Sequence, residues 1–181
     1  MPQLTDYEYN DILNLFNLPL DSFNIFIETG THYGQTLKNI KHKFLDIHSV
    51  ELSNKLYQIC KNTFQEDEHI KLYCGDSSIL LSNIIQKIED KAVFWLDGHF
   101  SGGDTAKGNK DCPLIEEIES INEKFKYESL IIIDDYRLFG TNINENWSDI
   151  NTNTLNQILK NRVKESLQVN DRLIYLLSAI A

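Results

Sequence analysis

The chain has 181 residues, of which 41% are apolar, so it can bury one substantial core, whereas two cores would leave each domain near the lower size limit. Seventeen basic residues against 27 acidic ones give a net charge of −10, which repels phosphate backbones and anionic membrane surfaces. Composition therefore argues against nucleic acid and membranes as partners. We expect a single domain over residues 1–181, with a leading helix in residues 1–20 and the core in residues 21–181.

The cysteines and the apolar runs bear on the compartment. Cys60, Cys74 and Cys112 are widely spaced without a C-x-x-C pattern, so neither a disulfide framework nor a structural zinc site is predicted. The N-terminus is acidic and polar rather than signal-like, and no apolar run approaches the roughly 18 residues that a bilayer span needs. We therefore expect a soluble cytoplasmic protein.

Short apolar runs alternate with helical patterns along most of the chain. Tyr9, Ile12, Leu13 and Phe16 have the spacing of the leading helix. The predicted strands that follow are residues 23–27, 47–50, 70–73, 92–96 and 130–133. Runs such as residues 92–96 are apolar at consecutive positions, which is typical of parallel strands that crossover helices cover on both faces.

The pattern changes after residue 136. A polar, Asn-rich loop over residues 140–153 leads to a short helix around residues 155–159. Residues 163–169 and 172–177 then flank Asn170-Asp171, which predicts a closing antiparallel hairpin. The expected fold is α/β: a doubly wound, Rossmann-like, mostly parallel seven-stranded sheet with a C-terminal antiparallel hairpin and helices on both faces.

The segment after the first strand is a candidate ligand-binding turn. In an open parallel sheet, ligands bind beyond the carboxyl ends of the strands. Glu28, Gly30 and Gly34 form an E-x-G-x-x-x-G pattern here, and its glycines let the backbone approach a ligand. The same pattern also fits a purely structural connection between a strand and a helix, so it needs support from the other strand ends.

The next two strand ends are also polar. Glu51 follows the second strand, where a carboxylate can accept hydrogen bonds from both hydroxyls of a ribose. Gly75, Asp76 and Ser77 follow the third strand and could bind an adenine edge. Helix capping is the alternative for each site, because Glu51 precedes a helix and Asp76 or Ser77 suits an N-cap.

The ends of the fourth and fifth strands carry the sharpest signal. Asp97-Gly98-His99 follows one strand, and Asp134-Asp135 follows the other. If these strands are neighbours, three carboxylates converge, and their repulsion calls for a cation such as Mg²⁺, Mn²⁺ or Ca²⁺ or for raised pKa values. His99 could accept a proton from a substrate hydroxyl. The alternative is that these aspartates only cap turns.

Two further segments are candidates for contact with a substrate. The loop over residues 101–113 is rich in glycine and could clasp a substrate or simply connect two elements. Trp147, in the polar loop, is a candidate for stacking against a substrate.

Together these motifs resemble those of the class I S-adenosylmethionine-dependent methyltransferases. Within that class, the Asp97-Gly98 and Ile133-Asp134-Asp135-Tyr136 elements resemble the macrocin O-methyltransferase-like family, which methylates sugar hydroxyls with bound Mg²⁺. The resemblance covers about residues 20–180. The chain departs from that family in the segment after His99 and in lacking much of the lid over sugar substrates.

The resemblance implies a role for each matching residue. Asp97 and His99 would be catalytic, with His99 as general base, and Asp97, Asp134 and Asp135 would ligate a divalent ion such as Mg²⁺. The residues implied to bind S-adenosylmethionine are Glu28, Thr29, Gly30, Thr31, Gly34, Thr36, Glu51, Leu52, Gly75, Asp76, Ser77 and Asp97.

The resulting hypothesis is metal-dependent O-methylation of a small hydroxylated acceptor, with a sugar as one candidate. The activated methyl group leaves the protein mainly the task of holding the acceptor oxygen in line. Three alternatives stay open: a metal-independent methyltransferase, a nicotinamide-dependent oxidoreductase, which the absence of G-x-G-x-x-G disfavours, and a non-catalytic nucleoside-binding protein. The oligomeric state is open as well, with a homodimer as one candidate.

Overall fold

The computed structural model describes residues 3–100, 102–143 and 145–180. Its helices are α1 (Asp6–Leu15), α2 (Gln35–Ile40), α3 (Asn54–Thr63), α4 (Ser77–Ile85), α5 (Leu114–Lys124) and α6 (Thr152–Leu159). Its strands are β1 (Ile25–Thr29), β2 (Asp46–Glu51), β3 (Ile70–Cys74), β4 (Ala92–Leu96), β5 (Ser129–Ile133), β6 (Val163–Val169) and β7 (Arg172–Leu177). Two 3₁₀ turns lie at Lys41–Lys43 and Tyr136–Leu138.

The strands form one seven-stranded sheet in the order β3-β2-β1-β4-β5-β7-β6. The first five strands pair in parallel, and β7 runs antiparallel between β5 and β6. This arrangement confirms the predicted fold class, including the C-terminal hairpin. Because β1 and β4 are neighbours, the chain reverses its direction of winding between them, and open α/β sheets bind ligands at such a point.

Helices cover both faces of the sheet. Phe94 and Leu96 of β4 pack on one face with α4, α5 and α6, whereas Val93 and Trp95 pack on the other with α1, α2 and α3. This alternation follows from the two-residue period of a strand, and it explains why the central strands are apolar at consecutive positions.

The first strand begins and ends two residues later than residues 23–27, the range predicted from the sequence. Glu28 and Thr29 are its last residues, and both are buried despite their polarity. The Glu28 carboxylate accepts a hydrogen bond of 2.5 Å from the Ser49 hydroxyl on β2, which partly offsets its desolvation. The sequence prediction ended β1 too early because it did not expect a polar residue such as Glu28 to be buried by a partner on β2.

The other boundaries differ by small shifts. β2 extends one residue beyond the predicted run of residues 47–50 at each end, so Glu51 is its last residue. α2 begins at Gln35, and Pro113 is the N-cap of α5. The three cysteines are free thiols. Within the described ranges, no helix has the length and apolarity needed to cross a bilayer.

Arg162 ties the C-terminal hairpin to α5. Its guanidinium is buried and donates to the carbonyl oxygens of Ile121 at 2.9 Å, Tyr127 at 3.0 Å and Ser178 at 3.0 Å. One planar group thereby satisfies carbonyls at the end of α5, before β5 and after β7.

Replacing Arg162 should therefore destabilise the fold. We expect Arg162→Met to lower the free energy of unfolding by about 3 kcal/mol, because several buried carbonyls lose their donor at once. Lys160→Met is the matched control, since Lys160 is exposed and should contribute under about 0.5 kcal/mol. Urea denaturation of both variants measures the effect, and equal midpoints would contradict this role.

Candidate active site

Three neighbouring strands end at the same level of the sheet. The register pairs Thr29 of β1 with Leu96 of β4, and Leu96 with Ile133 of β5. The ladder continues past the strands, because Asp97 N donates to Thr29 O and Asp134 N donates to Leu96 O, each at 3.2 Å. The residues that follow the strands are therefore held in place by backbone hydrogen bonds.

Gly30 lets β1 and β4 approach each other at this edge. Its φ is +84°, and a Cβ atom there would lie 2.3 Å from the carbonyl oxygen of Asp97. No side chain fits in that space, and positive φ is unfavourable for other residues. Glycine at position 30 is thus required by the contact with Asp97.

Buried hydroxyl and carboxyl groups support the turn from below. Thr31 and Ser49 place their hydroxyl oxygens 2.6 Å apart, and Ser49 donates onward to Glu28. Burial raises the pKa of Glu28 well above its ordinary value, although the hydrogen bond from Ser49 opposes that rise. These three side chains fix the conformation of the glycine turn.

Glu51 lies beside the same turn and already accepts two backbone hydrogen bonds. Its Oε2 accepts from His32 N at 2.8 Å, and its Oε1 accepts from Ser53 N at 2.7 Å. Burial raises the pKa of Glu51 despite these bonds. Ser53, not Glu51, is the N-cap of α3, so Glu51 instead holds the backbone on either side of it. Its remaining lone pairs leave room for ligand hydroxyls.

The segment after β3 caps α4. Asp76 is the N-cap, and its Oδ1 accepts from Ser78 N at 3.0 Å. Gly75 precedes it with φ +149°, and Ser77 is the first residue of the helix. Asp76 and Ser77 also border open space at the end of the sheet, so capping and ligand contact are compatible at these positions.

One cavity of about 270 Å³ joins most of these positions, close to the lower end of the range for small-molecule sites. It lies at the carboxyl ends of β1 to β4. The sequence-predicted residues that line it are Gly30, Glu51, Leu52, Gly75, Asp76, Ser77, Asp97 and His99. The structure therefore brings eight of the predicted site residues to one cavity.

The other predicted cofactor residues, Glu28, Thr29, Thr31, Gly34 and Thr36, are not among the described residues that line the cavity. Gly34, with φ +68°, packs against α3, where a Cβ atom would lie 2.5 Å from the Phe64 ring. Glu28 and Thr31 support the turn, as described above.

His99 lies among three carboxylates beyond β4 and β5. Its Nε2 is 2.6 Å from Asp135 Oδ2 and 3.5 Å from Asp97 Oδ1, and its Nδ1 is 2.8 Å from Glu145 Oε2. Burial acts to lower the pKa of His99, but hydrogen bonds to Asp135 and Asp97 raise it to about 11. A ring protonated on both nitrogens would donate to Asp135 and Glu145 and would not act as the general base that the sequence predicted.

Asp97, His99 and Asp135 could together hold a metal ion. One ligand atom from each lies within 4.8 Å of the others, and the group is largely buried. Among the described residues, Asp97 Oδ1 has no hydrogen-bond partner closer than the His99 Nε2 contact at 3.5 Å, which leaves buried negative charge available to a cation. Two carboxylates and an imidazole fit a divalent ion, and the nitrogen donor suits Mn²⁺ better than Mg²⁺.

Asp134 is placed differently from its neighbour and does not belong to this group. Successive side chains of a strand point to opposite faces, so Asp134 follows Ile132 toward the face of Trp95. Its Oδ1 is 3.3 Å from Arg172 Nε, and the Arg172 guanidinium stacks over the Trp95 ring at 5.0 Å. Burial raises the pKa of Asp134 to about 7, and Asp97 adds to the rise.

Sequence reasoning missed Glu145, which pairs with His99. Glu145 Oε2 also accepts from Trp147 Nε1 at 3.0 Å, and the Trp147 ring meets His99 edge-on with centroids 5.1 Å apart. Trp147 is buried in the core and is not among the described residues lining the cavity. A large apolar side chain such as Trp147 tends to be buried, so its presence in a polar loop could have indicated that the loop folds back onto the sheet.

Glu117 of α5 was also missed. It is 1% exposed, and it lies on the helix face that carries Leu114, Ile118 and Ile121. An acidic residue in phase with an apolar helix face was a signal present in the sequence. Burial raises the pKa of Glu117 to about 7, although the hydroxyls of Ser77 and Thr29 oppose that rise.

The loop after β4 closes the outer side of the cavity. Residues 105, 106 and 108–111 line it, whereas Ser101, the first residue of the predicted substrate loop, lies outside the described residues. Asp104 joins the loop to the opposite wall, because it accepts from Tyr33 at 2.7 Å and from Lys55 at 2.9 Å. The loop therefore encloses the cavity from the side of solvent.

The fold is shared with solved methyltransferase structures. An S-adenosylmethionine-dependent methyltransferase from Clostridium acetobutylicum is 12% identical, with a TM-score of 0.56, 98% of this chain covered and 93% of that one. An O-methyltransferase family protein from Burkholderia thailandensis is 10% identical, with a TM-score of 0.60 and coverage of 94% and 55%. The S-adenosylhomocysteine-bound methyltransferase PaMTH1 from Podospora anserina is 15% identical, with a TM-score of 0.58 and coverage of 87% and 72%.

These TM-scores show that the chain shares the fold of the class I S-adenosylmethionine-dependent methyltransferases. No protein-family model matches the sequence, and no curated protein matches it significantly. The narrower resemblance to the macrocin O-methyltransferase-like family therefore stays a prediction.

The contact between Gly30 and Asp97 can be tested with two glycine variants. Gly30→Ala should lower the free energy of unfolding by about 3 kcal/mol or more, because the new methyl group forces β1 and β4 apart. Gly140→Ala is the matched control, since Gly140 also has positive φ but nothing within 4 Å, and it should cost about 1 kcal/mol. Equal losses in urea denaturation would show that the close approach is unimportant.

The buried carboxyl of Glu117 should make stability depend on pH. Burial raises the pKa of Glu117 from 4.5 to about 7 in the folded protein. The protonated carboxyl therefore costs the fold nothing below pH 4.5, and stability falls relative to that level as pH rises through 7. Glu117→Gln removes this loss, and at pH 8 we expect it to be more stable than wild type by about 3 kcal/mol. The gap should shrink toward pH 4.5.

Glu119→Gln on the exposed side of the same helix is the control and should change stability by under about 0.5 kcal/mol. Thermal and urea unfolding between pH 4.5 and 8 measure both variants. A Glu117→Gln variant that is less stable than wild type at pH 8 would contradict the assignment of a costly buried charge.

Proposed function

We propose that this protein is an S-adenosylmethionine-dependent methyltransferase that acts on a hydroxyl group of a small acceptor. The observation that carries the proposal is the shared cavity: the glycine turn, Glu51 and Asp76 line it together with Asp97 and His99, and Gly30 lies directly against the Asp97 backbone. A nucleoside-binding end and an acidic end thus meet in one space, at the switch point of the sheet. The shared fold with methyltransferases supports the proposal.

The binding end suits an adenosyl group. Gly30 exposes backbone beside Asp97, Glu51 offers carboxylate oxygens to ribose hydroxyls, and Asp76 with Ser77 offers polar groups to the adenine edge. Leu52 supplies an apolar wall at the same end of the cavity. In the proposed complex, the sulfonium end of the cofactor then points toward Asp97.

The acidic end suits an acceptor hydroxyl. A divalent ion bound by Asp97, His99 and Asp135 would polarise that hydroxyl and lower its pKa. Asp97 Oδ1 has no hydrogen-bond partner closer than the His99 Nε2 contact at 3.5 Å and can accept the hydroxyl proton. The loop over residues 102–112 excludes water from the cavity, and Asp104 holds it to the opposite wall.

One observation favours a metal-independent version of the same reaction. The imidazole of His99 already lies between Asp135 and Glu145, so a doubly protonated ring can neutralise part of the acidic cluster without a metal ion. In that version Asp97 alone accepts the acceptor's hydrogen bond. The excess of acidic residues argues against nucleic acid as the acceptor in either version.

Calorimetry tests the cofactor and the metal separately. Wild-type protein should bind S-adenosylhomocysteine, and it should also bind Mn²⁺. Asp135→Asn should weaken Mn²⁺ binding about 100-fold, because one of three ligands becomes neutral, while S-adenosylhomocysteine affinity changes under about threefold. Asp149→Asn, a change at an exposed residue, is the control and should leave both affinities unchanged.

The outcomes separate the alternatives. Absence of S-adenosylhomocysteine binding would overturn the methyltransferase proposal. Cofactor binding with Mn²⁺ affinity that Asp135→Asn leaves intact would exclude the proposed metal site. Methyl transfer to hydroxylated acceptors that survives exhaustive chelation would establish the metal-independent version.

A further inference from the structure

A buried acid beneath the cavity has no role in the reaction described so far. Glu117 is 1% exposed, and its Oε1 makes no hydrogen bond within the described part of the chain. It projects from the first half of α5 toward the carboxyl ends of the central strands, where it meets Gly98. Only the neutral hydroxyls of Ser77 and Thr29 support this carboxyl group, so a buried acid with no cation beside it calls for an explanation.

Gly98 separates this acid from the cavity. A Cβ atom at position 98 would lie 3.1 Å from Glu117 Oε1 and 3.1 Å from Thr29 Oγ1, so the glycine backbone packs tightly against this carboxyl group. Gly98 lines the cavity, as does Ser77, whose hydroxyl is another polar neighbour of Glu117. The carboxyl group is therefore one layer of backbone away from the cavity and is shielded from water.

Glu117 also lacks a counter-charge. None of the ion pairs among the described residues includes it, and the charged groups that act on it are Asp76 and Glu116, which are both acidic. Lys110, a base on the adjoining loop, pairs with Glu116 instead. A buried carboxylate without a cation must either take up a proton or receive a cation from outside.

The proposed cofactor brings a cation to this cavity. We propose that Glu117 acts across the Gly98 backbone to make the cavity prefer the positively charged sulfonium cofactor over its neutral thioether product. This inference rests on the proposed function. Transfer of the methyl group leaves the electron pair of the broken bond on sulfur, which removes the positive charge there, and the acceptor proton passes to Asp97. Glu117 then loses its counter-charge, which favours exchange of product for fresh cofactor.

Two stable ligands separate this electrostatic role from a structural one. Sinefungin carries a protonated amine in place of the sulfonium group, whereas S-adenosylhomocysteine is neutral at that position, and the two share the rest of the adenosyl framework. Calorimetric titration of both at pH 8 gives an affinity ratio for each protein variant. Loss of packing changes both affinities alike, whereas loss of charge changes their ratio.

We expect wild-type protein to favour sinefungin and Glu117→Gln to reduce the ratio about tenfold. Glu117→Asp keeps the charge and should keep most of the ratio. Glu119→Gln, the same substitution on the exposed face of α5, should leave the ratio unchanged. These variants differ in charge and position but little in size.

Each outcome decides a different claim. If wild-type protein binds neither ligand, the proposed function itself fails. If it binds both and Glu117→Gln keeps the wild-type ratio, the inference fails while the proposed function stands. A Glu117→Gln variant without a cooperative melting transition would also overturn the inference, because it would show that the carboxyl serves the fold.

Discussion

In-register pairing of β1, β4 and β5 is the constraint on which the candidate site depends. The last paired residues of these strands, Thr29, Leu96 and Ile133, lie side by side, so the residues that follow leave the sheet at one level. Gly30 then approaches the Asp97 carbonyl more closely than a side chain would permit. The glycine turn and the acidic group are therefore parts of one rigid edge.

The charges at this edge are only partly balanced. His99 contacts Asp97, Asp135 and Glu145, Arg137 contacts Asp135, and Arg172 lies beside Asp134, so three cations face a larger set of acids. The acids left without a close cation face the cavity or the backbone that lines it. An imbalance of this kind suits a site that receives positive charge from its ligands, whether as a metal ion, a sulfonium group or both.

Much of this edge follows from the sequence. Consecutive apolar residues in β4 and β5 indicate strands buried on both faces, and polar residues directly after them mark the ligand-binding edge. The hairpin of β6 and β7 has the predicted bounds because Asn170 and Asp171 interrupt two clear runs. Such elements can be predicted from the sequence because they depend mainly on residues that are neighbours in the chain.

The remaining features depend on distant contacts. Glu28 belongs to β1 because Ser49 on another strand donates to it, and no local pattern shows that bond. Glu145 reaches His99 because a polar loop folds back on a buried tryptophan. Asp134 and Asp135 read alike in the sequence, but strand alternation turns one toward Arg172 and the other toward His99. The helical spacing of α5 places Glu117 on the apolar face, but the sequence does not show that this side chain lies beneath Gly98.

A crystal structure of the protein soaked with S-adenosylhomocysteine would locate the cofactor relative to these strand ends. We predict ribose hydroxyls at Glu51, adenine beside Asp76 and Leu52, and the thioether sulfur beside Asp97. A nucleoside bound elsewhere, or a glycine turn filled by side chains in the complex, would contradict this placement.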